Sequence, residues 1–229
     1  RRIVARLESL GAVVEYDKRP CSILLKCLFD ENASSPVVAV GLSPVRPLSD
    51  DDLALLAAFP ELTQICLNGP HITDKAMQHV AQLPRLELVG ITSTEVTEHG
   101  LAQLAGVNSL EQLLFGDVTV TDDMLKAVGT LNSLRSLGFM ASEFKSADFE
   151  RLASLPHLSQ LAIMDSSTDE TFRNLDKLHT LEHLVLFNVP FTDDACEQLC
   201  RVSRLKKLRI NRTTISDAGL RHLAGIHNL

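Results

Sequence analysis

The apolar positions of this chain recur in a fixed register. With Ser49, Thr73, Thr97, Thr121, Lys145, Thr168, Thr192 and Ser216 as position one, successive starts lie 24, 24, 24, 24, 23, 24 and 24 residues apart. Position five is then Leu53, Met77, Leu101, Leu125, Phe149, Phe172, Cys196 or Leu220, and positions eight and eleven are aliphatic or Phe in every copy. Spacings of three put these residues on one helical face. Position fourteen is always Leu, from Leu62 to Leu229. Positions seventeen and nineteen alternate with polar or small neighbours, as in Ile65/Leu67, Leu137/Phe139 and Leu208/Ile210, which is the period of a strand.

Each copy therefore predicts a helix, a turn, a short strand and a return turn, with one apolar face that it cannot bury alone. Stacking neighbours buries that face, so the expected fold class is an α/β solenoid. Helices are wider than strands, and the stack is expected to curve into a horseshoe with a parallel sheet on its concave face and helices on its convex face. Residues 1–48 break the register and are read as an N-terminal cap. Ile3, Val4, Leu7 and Leu10 predict a helix ended by Gly11, and Ala12 to Tyr16 a strand. Ser22 to Phe29 and Pro36 to Leu42 predict two more strands. The expected domains are the cap at 1–48 and the repeats at 49–229, seven complete and one partial. The first residue is Arg1 and no comparable cap follows Leu229, so the sequence reads as an excerpt of a longer protein.

The run Leu-x-x-Leu-x-Leu, followed by Thr-x-Ile/Val-Thr-Asp and Gly-Leu-x-x-Leu, resembles the leucine-rich repeat family in its 24-residue bacterial form. Ser216 to Leu223 carries the motif most fully and Thr97 to Leu101 comes next. The likeness covers residues 49–229, with a degenerate first strand near Val40 and Leu42. It implies a leucine-rich-repeat solenoid that recognises another protein through its sheet. The family's Asn at position twenty-two is missing: Pro70, Thr94, Val118, Ser142 and Thr213 stand there instead. The buried backbone groups of that turn are therefore expected to find other partners.

Composition narrows the function. The chain has 229 residues, 45% hydrophobic and 22% charged, enough for a substantial core. A net charge of −7 argues against a general nucleic-acid or anionic-membrane binder. No apolar run approaches the roughly 20 residues of a membrane span, and no signal peptide is visible. The five cysteines, Cys21, Cys27, Cys66, Cys196 and Cys200, are odd in number and irregularly spaced, so they read as structural or free thiols. Unpaired thiols point to a cytoplasmic setting.

Candidate chemistry mostly reduces to structure. The acids Asp50, Asp74, Glu98, Asp122, Asp169, Asp193 and Asp217 at position two would form a ladder, but each follows a helix-capping Thr or Ser and meets the positive end of a helix dipole. His179 and His183 fall on a loop and a strand, where four-residue spacing offers no chelating face, and Cys196 fills a core row beside Cys200. No metal or cofactor is expected. Phosphate loops, nucleophile elbows and zinc-protease helices are absent from the sequence, and adjacent acids such as Asp122/Asp123 read as solvated cap residues, so no enzyme is expected.

Positions sixteen, eighteen and twenty must face the concave side if seventeen and nineteen face the core. There Leu114, Met140, Met164, Val185 and Phe187 fall on consecutive strands. A solenoid's inner sheet needs no large apolar groups for its own core, so this patch is expected to bind a protein. Gln160, His183, Lys207 and Arg209 would form a polar, partly basic rim. Six basic residues, Arg201, Arg204, Lys206, Lys207, Arg209 and Arg212, lie between Glu197 and Asp217 without an acid among them. The short repeat at 145–167 is expected to be irregular where its strand turns back near Asp165. The expected function is a non-catalytic protein-recognition module. The alternative is a substrate-recognition or regulatory arm of a larger enzyme, such as a ubiquitin-ligase receptor, with its catalytic part outside this chain.

Overall fold

Alternating apolar residues at positions seventeen and nineteen produce a strand in every described repeat. The computed structural model describes residues 12–16, 38–42, 49–145, 148–166, 174–226 and 228–229. By internal contacts the chain divides into two compact units, Arg1–Leu114 and Phe115–Leu229. In the first, β1 (Ala12–Tyr16) runs antiparallel to β2 (Val38–Leu42), and β2 is parallel to β3 (Gln64–Asn68), which is parallel to β4 (Leu88–Thr92). The boundary between the units falls inside β5 (Gln112–Gly116). The second unit holds β6 (Thr119–Thr121), β7 (Ser136–Met140), β8 (Glu143–Lys145), β9 (Gln160–Met164), β10 (His183–Phe187) and β11 (Lys207–Asn211). There β7, β9, β10 and β11 pair in parallel, with Ser136, Gln160, His183 and Lys207 in one row. Equal positions of successive repeats thus stand side by side. The expected helix over Ile3–Leu10 and the strand over Ser22–Phe29 lie outside the described residues.

The core is the set of rows read from the repeat. Leu62, Leu86, Leu110, Leu134, Leu181 and Leu205 at position fourteen are fully enclosed. In the last repeat rows five and fourteen are open, with Leu220 55% and Leu229 50% exposed, while Ile226 of row eleven is buried. Burial of rows five and fourteen is therefore supplied by the repeat that follows. The second unit adds an aromatic column: Phe115 and Phe139 stack at 5.3 Å, Phe139 meets Phe144 edge-on at 5.1 Å, and Phe144 lies 6.1 Å from Phe149. Val120 and Phe144, both buried, face each other across the short parallel pair β6 and β8, which the strand alternation does not predict.

The helical layer departs from expectation in two ways. Only α1 (Asp74–Val80), α2 (Glu98–Ala102), α3 (Asp122–Val128), α4 (Asp193–Leu199) and α5 (Asp217–Leu223) are α-helical among the described residues, while Asp50–Ala58, Gln103–Gly106, Phe149–Leu152 and Leu175–Lys177 are 3-10. Position eleven also lies beyond the helix rather than on its face. Leu83 N–H donates to Val80 C=O at 3.1 Å and Val202 N–H to Leu199 C=O at 3.0 Å, so a tight turn tucks this row into the core. Segments of one or two turns are too short to hold themselves, and packing selects their pitch.

The acids at position two bind across repeats. Asp50 accepts Thr73 N–H at 2.8 Å and Thr73 Oγ1–H at 2.6 Å, and Asp74 accepts the same two groups of Thr97 at 2.7 Å each. Asp193 holds Ser216 N–H at 2.9 Å and its hydroxyl at 2.5 Å. The Gly at position four makes room for this clamp: a Cβ on Gly100 would collide with Asp74 Oδ1, and one on Gly219 with Asp193 Oδ1. Where the next repeat starts with Lys145 instead of Thr, Asp122 turns to Arg151 Nε at 2.9 and 3.1 Å, and Asp148 caps the following 3-10 turn through Glu150 N–H at 2.9 Å.

The Ser216 hydroxyl and N–H hold the Asp193 carboxyl below its ordinary range. A depressed folded-state pKa stabilises the fold above the unfolded value of about 4 and loses that contribution as pH falls through the folded one. The stability difference between wild type and Asp193→Asn, measured by denaturant melts, should therefore be present at neutral pH and shrink below about pH 4. A difference that stays constant with pH would contradict the clamp.

The missing Asn is replaced by backbone geometry. Position twenty-one is left-handed in all seven described turns, with φ 111° at Gly69, 50° at Ser93 and Asp117, 48° at Ala141, 53° at Asp165, 51° at Asn188 and 54° at Arg212. That twist points its N–H at the position-twenty carbonyl of the next repeat: Gly69 to Thr92 at 3.1 Å, then Asp117 to Met140, Ala141 to Met164, Asp165 to Phe187 and Asn188 to Asn211, each at 2.9 Å. The expected irregularity at Asp165 is absent, because this turn keeps both the φ and the bond of its neighbours. The residue lost from the short repeat falls after it, and the rest of that return lies outside the described residues.

Candidate functional site

The sheet face turned away from the helices carries positions sixteen, eighteen and twenty. In the second unit, parallel register aligns Met140 with Met164, Phe187 and Asn211, and Ala162 with Val185 and Arg209. Met140, Met164, Val185 and Phe187 are half-buried, unlike the enclosed core rows beside them. Gly138 and the buried Ala162 separate the larger side chains and keep this face low between them. Leu114 is also half-buried, on the first unit's part of β5. The second unit by itself therefore carries Met140, Met164, Val185 and Phe187 on this face.

The polar neighbours fall around this apolar row. Gln160 Oε1 accepts the Ser136 hydroxyl at 3.1 Å, and Gln160 and His183 occupy the position-sixteen row that Lys207 ends. Lys207 and Arg209 are exposed on β11. Two other members of the basic run are engaged elsewhere, Arg201 with Glu197 at 2.9 Å and Lys206 with Glu182 at 2.8 Å. Lys206 in turn holds the Glu182 carboxyl below its usual range. In the sequence Arg212 is only one of the six residues of the basic run. In the structure its guanidinium lies 5.4 Å over the Phe187 ring, because the left-handed turn at Arg212 brings its side chain back over the strand.

Burial pushes the Cys196 thiol up to about 11, so it is protonated at neutral pH. Cys200 Sγ–H donates to His222 C=O at 2.7 Å. Cys66 departs from the expectation of unpaired thiols, for it is disulfide-bonded. An odd count leaves room for one bridge beside the free Cys196 and Cys200, and the bridge removes the support that unpaired thiols lent to a reducing compartment. Among the described residues, no three His, Cys, Asp or Glu side chains gather where a metal ion could be held, and no helix is long and apolar enough to cross a membrane.

No family model and no curated protein matches the chain. Solved structures do. An internalin (inlF) from Listeria monocytogenes is similar at 20% identity and TM-score 0.52, over 83% of this chain and 59% of that one. A second Listeria monocytogenes internalin, C2, is similar at 18% identity and TM-score 0.47, over 80% of this chain and 82% of that one. TLR13, in a complex with ssRNA13, is similar at 15% identity and TM-score 0.52, over 78% of this chain and 29% of that one. The chain thus spans less than two thirds of the length of the inlF internalin. With the parallel sheet, the helical layer and the aligned leucine rows already in view, the likenesses to the inlF internalin and to TLR13 establish the fold as an α/β leucine-rich-repeat solenoid.

Proposed function

We propose that this chain is a non-catalytic recognition module that binds a protein partner on the helix-free sheet face of its second unit, with residues 1–48 capping the repeats. The observation that carries this reading is the apolar row Met140, Met164 and Phe187 with Val185 beside it, half-buried on a face that the core does not use. Large apolar side chains outside the core add nothing to stacking, and Met and Phe are favoured in the centres of interfaces. Burying them under a partner would recover their transfer free energy.

The test is a peptide library displayed on phage and selected on the immobilised chain. Bound clones should lose about 1–3 kcal/mol of binding free energy on Phe187→Ala and on Met164→Ala, while both variants keep the wild-type thermal unfolding. Lys75→Ala, on the exposed side of α1, serves as the control and should bind like wild type. Equal binding by all three variants, or unfolding of the two sheet-face variants, would remove this face from consideration.

A further inference from the structure

Resting on that reading, we infer that the partner presents a peptide segment in which an acidic side chain adjoins an apolar one, with the apolar group on Met164, Val185 and Phe187 and the carboxylate between Arg209 and Arg212. Val185 is paired directly with Arg209 across β10 and β11, so apolar and cationic positions are neighbours in one row. Arg212 lies over the Phe187 ring at 5.4 Å, which places a second guanidinium against the same apolar row, two positions along β10 from Val185. Both arginines are exposed, and among the described residues neither makes an ion pair, whereas Arg201 and Lys206 of the same run are engaged by Glu197 and Glu182.

Charge complementarity therefore selects the occupant. A guanidinium is a planar fork that matches a carboxylate, and two of them beside an apolar shelf suit a short acidic motif with an aromatic or aliphatic neighbour. A nucleic acid fits the same surface less well. The chain carries a net −7, and a phosphate backbone needs a longer basic track than these few strands offer. The apolar row would also stay uncovered beneath a purely anionic ligand.

The experiment uses the phage-displayed random peptide library on the immobilised chain, with parallel selections on Arg209→Glu, Arg212→Glu and Phe187→Ala. Wild-type winners should be enriched in Asp or Glu next to Phe, Leu or Met. As synthetic peptides they should bind at least about tenfold more weakly to Arg209→Glu and Arg212→Glu, and affinity should fall as salt is raised. Replacing the acid by its amide should cost a similar factor. Winners without acid enrichment that still fail on Phe187→Ala would overturn the acidic partner and leave the sheet-face reading standing. Winners indifferent to all three variants would overturn both. Salt-sensitive binding of single-stranded poly-uridine that requires Arg209, without any acidic peptide preference, would overturn the proposal in favour of a nucleic-acid ligand.

Discussion

Leu134→Ala should cost about 2–5 kcal/mol of stability, read as a shift of the urea unfolding midpoint. Leu134 sits at position fourteen of a central repeat with no exposed surface, so truncation loses transfer free energy and leaves a cavity. Leu229→Ala tests the cause. It changes the same row where the side chain is 50% exposed, and should cost well under about 1 kcal/mol. Equal losses at the two sites would mean that row fourteen is stabilised within its own repeat and not by the one that follows.

The second large effect concerns a residue whose own side chain is absent. Gly100→Ala should cost about 2–3 kcal/mol, since a Cβ there displaces the Asp74 carboxylate from Thr97 and also crowds Met77 Cγ at 3.0 Å. A Cβ on Gly106, at position ten of the same repeat, would meet open space, with no atom within 4 Å. Gly106→Ala should be neutral or stabilise by a few tenths of a kcal/mol through the unfolded chain. Thermal melts of the two variants make the comparison. If Gly100→Ala behaves like Gly106→Ala, the carboxylate is not held as tightly as its two hydrogen bonds imply.

The repeat itself was plain in the residues, because stacking demands the same kind of side chain at the same position in each copy. Leu at position fourteen, the pair at seventeen and nineteen, and the placement of Met164 and Phe187 on the opposite side of the strand all follow from periods of three and two. The strands β1 and β2 were legible as well, since Ala12–Tyr16 and Val38–Leu42 match two of the predicted strands, but their pairing was not. Helix type was not. Segments of three to nine residues have too little propensity to choose between α and 3-10, and row eleven was assigned to a helix that stops before reaching it.

Partner identity inside the fold was legible only as far as neighbours in sequence reveal it. Asp74 looks like the first acid of its own helix, and it becomes a clamp only when Thr97 arrives 23 residues later. Gly100 is only part of the Gly-Leu motif in the sequence, and its purpose is space for that carboxylate. Arg212 looks like one more member of a basic run until the left-handed turn lays it on Phe187.

By itself the sequence determined the repeat length, the rows that must be buried, the side of each strand that must be open and the absence of any recognisable catalytic motif. These are consequences of period and polarity, which are local properties. The tertiary structure decided the cross-repeat bonds of Asp50, Asp74 and Asp193, the left-handed turn that replaces the missing Asn, the aromatic column through Phe139 and the pairing of guanidinium with ring. Apart from Phe144 against Phe139 and Phe149, these contacts join groups about a full repeat apart, and such contacts exist only after the repeats have stacked.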